Sequence, residues 1–254
     1  MMAKRSGKQR ISLEPPYLRR VWLEAERVPD RAAYPYCLPF LTDDFELTFD
    51  KPITIIAGEN GVGKSTLLEG IAALAGFDPA GGASGYRPVD HEQARETNGD
   101  LLADVLRAAW RPKITTGWFF RAESFFSVAR YLDAAGSTTA DFLSHSHGEG
   151  FMRLFGERCD DQGIYFFDEP ESALSPARQI EFLRLLQRID DAGLSQVVMA
   201  THSPLLMAVP KAQLLRMTLR GLEPVTLEQT DHFRLLREFC GDPHDFIAEA
   251  LARE

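Results

Sequence analysis

Short apolar runs alternate with helical periodicities along most of this chain. Residues 17–27 alternate in a way that predicts a strand, with Val21, Leu23 and Ala25 on one side, and Phe45-Glu46-Leu47-Thr48-Phe49 alternates cleanly. Between them lies the aromatic, proline-rich connection Tyr34-Pro35-Tyr36-Cys37-Leu38-Pro39-Phe40. Ile53-Thr54-Ile55-Ile56-Ala57 reads as a buried strand, and a helix over 66–75 follows it, closed by Gly76 as a C-terminal cap. Residues 101–110 predict a short helix with Leu102, Val105, Leu106 and Ala109 on one face. Residues 114–121 are strand-like, whereas 124–135 and 151–158 have helical spacing.

The run Gly163-Ile164-Tyr165-Phe166-Phe167 is apolar on both faces and ends in Asp168-Glu169-Pro170, the pattern of a buried parallel strand with acids at its carboxyl end. Pro176 opens an amphipathic helix (Ile180, Leu183, Leu185, Leu186, Ile189) that stops near Gly193. Val197-Val198-Met199-Ala200-Thr201 is a further buried strand, followed by His202-Ser203-Pro204. The remainder predicts edge strands over 214–219 and 224–227 and helices over 232–240 and 243–253. The alternation of strand and helix predicts an α/β fold, with a mostly parallel central sheet, helices on both faces and an N-terminal antiparallel β portion. Residues 78–99, rich in Gly, Pro and polar side chains, read as a mobile surface insertion within one domain spanning 17–254. The helices over 231–254 close that domain. No internal repeat and no heptad run is visible.

Composition narrows the picture modestly. The 254 residues are ample for a large core, and a hydrophobic content of 44% is that of an ordinary globular protein. No apolar run is long enough to span a bilayer, and the start has no apolar segment behind its basic residues, so neither membrane insertion nor a secretory signal is expected. Cys37, Cys159 and Cys240 are far apart and odd in number, which points to reduced thiols in a cytoplasmic protein. A net charge of -9 excludes a surface that coats nucleic acid throughout, although Lys4, Arg5, Lys8 and Arg10 make residues 1–16 a flexible basic arm.

The chemistry concentrates in Gly58-Glu59-Asn60-Gly61-Val62-Gly63-Lys64-Ser65-Thr66, which matches the phosphate loop G-x-x-x-x-G-K-[ST] and stands between a strand and a helix, where such a loop must stand. Its glycines let backbone N–H groups curl inward onto phosphate oxygens. Lys64 would reach the β- and γ-phosphates, and Ser65 would hold Mg²⁺ through its hydroxyl. A second acid must fix the metal from a neighbouring strand, and Asp168 ends a buried strand about a hundred residues on. Glu169, one residue further, could accept a proton from an attacking water. His202 directly follows another core strand, where an imidazole could meet the γ-phosphate or that water.

With these residues in place, the chain resembles the ABC-type ATPases, in the soluble branch that includes the SMC and DNA-repair ATPases. Gly58 to Thr66 is similar to Walker A, Ile164 to Glu169 to Walker B with its adjacent glutamate, Ser172-Ala173-Leu174-Ser175 to the D-loop, and Ala200-Thr201-His202-Ser203 to the switch-histidine loop. Ser146-His147-Gly148-Glu149 resembles the signature motif, with His147 where a glycine is usual and His145 where an apolar residue is usual. Glu123 stands nearest to the expected Q-loop glutamine, and Arg121 beside it could contact phosphate. Tyr34 or Tyr36 could stack on adenine or pack into the core. The wording is also similar to a group of compact bacterial predicted ATPases of the AAA family.

The resemblance implies a homodimer that closes head to tail on two ATP molecules and opens on hydrolysis, with Ser146 and Gly148 acting across the interface. It implies that Lys64 stabilises the transferring phosphoryl group, Ser65 and Asp168 hold Mg²⁺, Glu169 polarises water and His202 senses the γ-phosphate. Such a switch would act on a partner protein or on DNA. Two other functions share the motifs: a nucleotide-binding subunit with little turnover alone, and the ATP-binding subunit of a transporter. Only about twenty residues separate Glu123 from Ser144, too few for the helical subdomain by which a transporter subunit docks.

Overall fold

The computed structural model describes residues 13–84, 98–121, 152, 155–156, 159 and 162–252. Within them two sheets set the frame. In the smaller, β1 (Leu18–Leu23) lies between β2 (Glu46–Thr48) and β5 (Leu106–Trp110), antiparallel to both. In the larger, the order is β10 (Gly221–Pro224), β9 (Gln213–Thr218), β3 (Ile53–Ala57), β8 (Ser195–Thr201), β7 (Gly163–Asp168), β6 (Gly117–Arg121) and β4 (Gly82–Ala83). Strands β9 to β6 run parallel, and β10 and β4 flank them antiparallel.

Strands β3, β7 and β8 are buried along their whole length because layers cover both faces of the sheet. Alternate residues divide between those layers, as the pleat requires. Ile56, Phe119, Phe166, Val198 and Ala200 meet α1 (Lys64–Ala75), α2 (Asn98–Val105) and the small sheet. Ile55, Phe120, Tyr165, Phe167, Val197 and Met199 meet α3 (Pro176–Ala192) and the short α4 (Pro204–Met207). Phe167 stacks on Phe120 with centroids 4.8 Å apart and meets Phe182 of α3 edge-on at 5.0 Å. Two further helices, α5 (Asp231–Gly241) and α6 (Pro243–Ala252), bury none of their residues.

One buried side chain ties the two sheets together. Gln196 on β8 accepts from the backbone N–H of Tyr17 and of Leu18, both at 2.8 Å, and donates to the Leu18 carbonyl at 3.0 Å. An amide is suited to this because it carries acceptor and donor on one planar group.

The expected α/β class, the mostly parallel sheet, the helices on both faces and the antiparallel portion are all present. Several elements differ from the expectation. The strand expected over 17–27 stops at Leu23, and residues Ala25–Arg27 form a 3-10 turn. The helix expected over 101–110 begins earlier and gives way to β5 at Leu106. The apolar spacing there fits a helix, but β1 needs a second partner, and pairing of Trp22 with Arg107 and Arg20 with Ala109 satisfies backbone groups that a helix would leave open. Gly82 and Ala83, inside the expected insertion, pair with Phe119 and Trp118. Strand β9 is no edge, since it lies between β10 and β3, and the last strand is Gly221–Pro224 instead of 224–227. The buried face of α3 comprises Gln179, Phe182, Leu185, Leu186 and Ile189, leaving Ile180 at 39% exposure. The helix expected over 124–135 and most of that over 151–158 lie outside the described residues.

Gln196→Leu removes the three hydrogen bonds that this amide makes to Tyr17 and Leu18 while keeping the volume. The expected loss of stability is roughly 3 kcal/mol, because buried backbone groups lose their partners. Chemical denaturation of the variant beside the unmodified protein checks it.

Candidate functional site

The loop between β3 and α1 follows the path its glycines allow. A Cβ on Gly58 would meet the Met217 carbonyl oxygen at 2.6 Å, so strand β9 passes too close for any other residue. Gly63 has φ +100 and caps α1, and a Cβ there would also meet the Phe40 ring at 2.7 Å. No side chain caps this helix, so its first N–H groups remain for an anion.

Register brings the other groups to the same edge. Ala57 of β3 pairs with Thr201 of β8, and Ala200 pairs with Asp168 of β7. The residues that follow these strands therefore emerge side by side at their carboxyl ends. Lys64 is only 4% exposed; its Nζ donates to the Glu59 carbonyl at 3.0 Å and lies 2.8 Å from His202 Nε2. Ser65 Oγ donates to Asp168 Oδ1 at 3.0 Å. Glu169 Oε1 sits 3.1 Å from His202 Nε2. The Glu169 backbone adopts φ 46, a left-handed conformation that is uncommon for a residue with a side chain and typical of sites under functional constraint.

These contacts set the protonation of the cluster. Burial pushes the Lys64 ammonium below its ordinary pKa, and the carboxylates of Glu169, Asp168, Glu171 and Glu59 oppose that shift. His202 is also held below its usual 6.5, first by burial and then by the Lys64 charge, with Glu169 and Glu171 pulling upward and His232 pushing down. The ring is accordingly neutral at pH 7.

Sequence reasoning missed three participants, Glu171, His232 and Glu69, and gave Arg121 a phosphate contact instead of the partners it has. Glu171 Oε1 accepts from the His202 backbone N–H at 2.5 Å, fixing the loop after β8. Its neighbours Asp168 and Glu169 explain themselves by motif, whereas Glu171 carries no spacing signal. His232, in the first turn of α5, lies 3.2 Å from His202 Nδ1 through its Nε2. Glu69 of α1 pairs with Arg121 at 2.9 Å, and both are buried. Arg121 further donates to the Pro79 carbonyl at 3.0 Å and lies 3.6 Å from Asp168 Oδ2. The guanidinium is thus engaged inside the domain.

Tyr36 is buried, with its hydroxyl donating to the Leu101 carbonyl at 3.3 Å, so it packs into the core. Tyr34 is 49% exposed and its hydroxyl lies 2.6 Å from Thr66 Oγ1. Asn60, Gly61 and Val62 line, with Arg216, Thr218 and His232, a cavity of about 470 Å³ beside the phosphate loop. Glu123, Ser146 and Gly148, with the neighbouring His145 and His147, lie outside the described residues. Among the described residues, Ser65 and Asp168 offer a hydroxyl and a carboxylate oxygen in contact, the hard oxygen donors that suit Mg²⁺. No group of three or more His, Cys, Asp or Glu side chains there forms a metal cluster, and no helix is long and apolar enough to cross a membrane.

Two measurements follow from this geometry. Arg121→Met leaves the buried Glu69 carboxylate without its guanidinium, so stability should fall by about 3–5 kcal/mol, and adding Glu69→Gln should recover part of it. Because His202 is neutral in the native state below the pKa it has when unfolded, lowering the pH through 6.5 charges the unfolded chain first. Stability of the protein should fall as the pH drops below about 7, and His202→Gln should flatten that slope in thermal melts.

Two family models fall on the segments that build this site. A family model described as "AAA domain, putative AbiEii toxin, Type IV TA system" matches residues 145–208, which contain the acidic strand end and His202. A second, described as "AAA domain", matches residues 36–104, which contain the phosphate loop. Among solved structures the chain is similar to "An inward-facing conformation of a putative metal-chelate type ABC transporter", at 20% identity and TM-score 0.43, over 73% of this chain and 76% of that one. It is also similar to the "SMC head domain from Thermotoga maritima", at 15% identity and TM-score 0.44, over 83% of this chain and 98% of that one. No curated protein matches the chain. A glycine loop runs from a central parallel strand into a helix, an acidic pair ends the strand two places away, and AAA-domain models match the segments that carry both, which is the arrangement of a P-loop domain.

Proposed function

We propose that the protein binds and hydrolyses ATP, and that nucleotide drives its dimerisation as a switch acting on a partner protein or on DNA. One observation carries this reading: Lys64, the Ser65–Asp168 pair, Glu169 and His202 converge within hydrogen-bond distance at the carboxyl ends of three adjacent parallel strands. Open α/β sheets collect ligands at that edge.

In this reading the loop N–H groups and the α1 terminus receive phosphate, and Lys64 exchanges the Glu59 carbonyl and His202 for phosphate oxygens. That exchange is favourable because a buried ammonium gains an anionic partner. Ser65 and Asp168 would hold Mg²⁺, which supplies neutralising charge to the phosphate oxygens when bound. Glu169, whose carboxylate lies 3.1 Å from His202 Nε2, accepts the proton of an attacking water. His202 orients that carboxylate and senses whether Lys64 is engaged elsewhere. Ser172 of the D-loop is exposed, as a residue that meets a second protomer would be. Ser146 and Gly148 act in trans on the partner's nucleotide, and Glu123 takes the Q-loop position.

Glu169→Gln removes the base while keeping the volume. The variant's molar mass in solution should double with Mg-ATP and stay monomeric without it, while the unmodified protein releases phosphate. No phosphate release and no change of mass would sink the switch and leave a nucleotide-binding subunit completed by another protein.

A further inference from the structure

His232 comes from an element that the phosphate-loop chemistry does not require. It opens α5, and its Nε2 lies 3.2 Å from Nδ1 of His202, with the ring centroids 5.4 Å apart. Its other charged neighbour is Glu59 of the phosphate loop, 3.9 Å away. His202 in turn faces Lys64, Glu169 and the Glu171 carboxylate that holds its backbone N–H.

The proton positions in this chain are constrained by chemistry. A lysine ammonium can only donate, so while Lys64 contacts Nε2 that nitrogen is an acceptor. A neutral His202 then carries its proton on Nδ1 and donates it to His232 Nε2. Glu169 Oε1 stands 3.1 Å from the same Nε2, and a carboxylate can only accept. That contact becomes a hydrogen bond when the proton sits on Nε2, which requires Lys64 to have left. Nδ1 is then an acceptor, and His232 must present an N–H on Nε2. Each ring keeps one proton in both arrangements, exchanged through solvent that reaches both partly exposed rings.

We propose that His232 is a positioning residue that sets the tautomer of His202, and so links α5 to whether Lys64 is held by His202 or by phosphate. Its effect on turnover rests on the proposed role of His202, whereas its effect on the tautomer does not. Helix α5 is suited to carry such a link. Its remaining contacts leave Leu235, Leu236 and Phe239 exposed, and Thr230 caps it through the N–H of Phe233, holding the first turn and His232 in place.

The test is two-bond ¹H–¹⁵N correlation NMR of the imidazoles, on the full chain labelled at histidine. In the free protein His202 should show its proton on Nδ1, and adding Mg²⁺ with a non-hydrolysable ATP analogue should move it to Nε2, with His232 changing in the same step. His232→Ala should shift the free-state His202 signals toward a mixture of tautomers. It should also lower kcat about tenfold with little change in KM, and His232→Gln, which keeps an amide near the Nε2 position, should restore part of the loss. His202 signals unaltered by His232→Ala in the free protein would overturn the proposal. Absence of analogue binding to the unmodified protein would instead overturn the ATPase reading, leaving the free-state tautomer to decide this one.

Discussion

The register of β3, β7 and β8 is the constraint on which the site depends. Three parallel strands, hydrogen-bonded with Ala57 against Thr201 and Ala200 against Asp168, end at one level. A slip of β7 by one residue would move Asp168 from the edge and exchange the two buried faces of that strand. The register is secured by those faces: the aromatic residues of β6 and β7 alternate between one layer built on α1 and another built on α3. The core therefore places the site.

At that edge the protein holds a buried positive charge on Lys64. Lys64 is almost wholly buried, and its partners are a carbonyl and a neutral imidazole. Burial lowers the ammonium's pKa more strongly than the surrounding carboxylates raise it. The Arg121–Glu69 pair lies under the opposite side of Asp168 and fixes the strand end from which that carboxylate projects.

The two sheets are joined by a polar contact as well as by the apolar layer between them. Gln196 reaches from the centre of the large sheet to the first strand of the small one. The small sheet in turn supports the connection that carries Phe40 against Gly63 and Tyr34 against Thr66. The N-terminal strands thus bear on the phosphate loop although they contribute no group to it.

Much of this was legible in the residues themselves. The phosphate loop, the acids at the end of β7 and the histidine after β8 depend on local residue type and on position relative to an apolar run, and both are properties of sequence. The same holds for the caps at Gly76 and Gly193, where only the left-handed backbone is required. What was not legible depends on partners far away in the chain. Residues 106–110 have helical spacing and become a strand because β1 has an open side. Ile180 fits the helical stripe, yet the layer against α3 chooses Phe182 and Gln179. His232, Glu171, Gln196 and the Arg121–Glu69 pair carry no motif, since a single polar residue gains meaning only from the group it meets. Sequence by itself determined which chemistry the chain carries and which strands are buried. Tertiary structure alone decided the order of those strands and the protons shared between His202 and its neighbours, because hydrogen bonds between distant segments exist only after the chain has closed on itself.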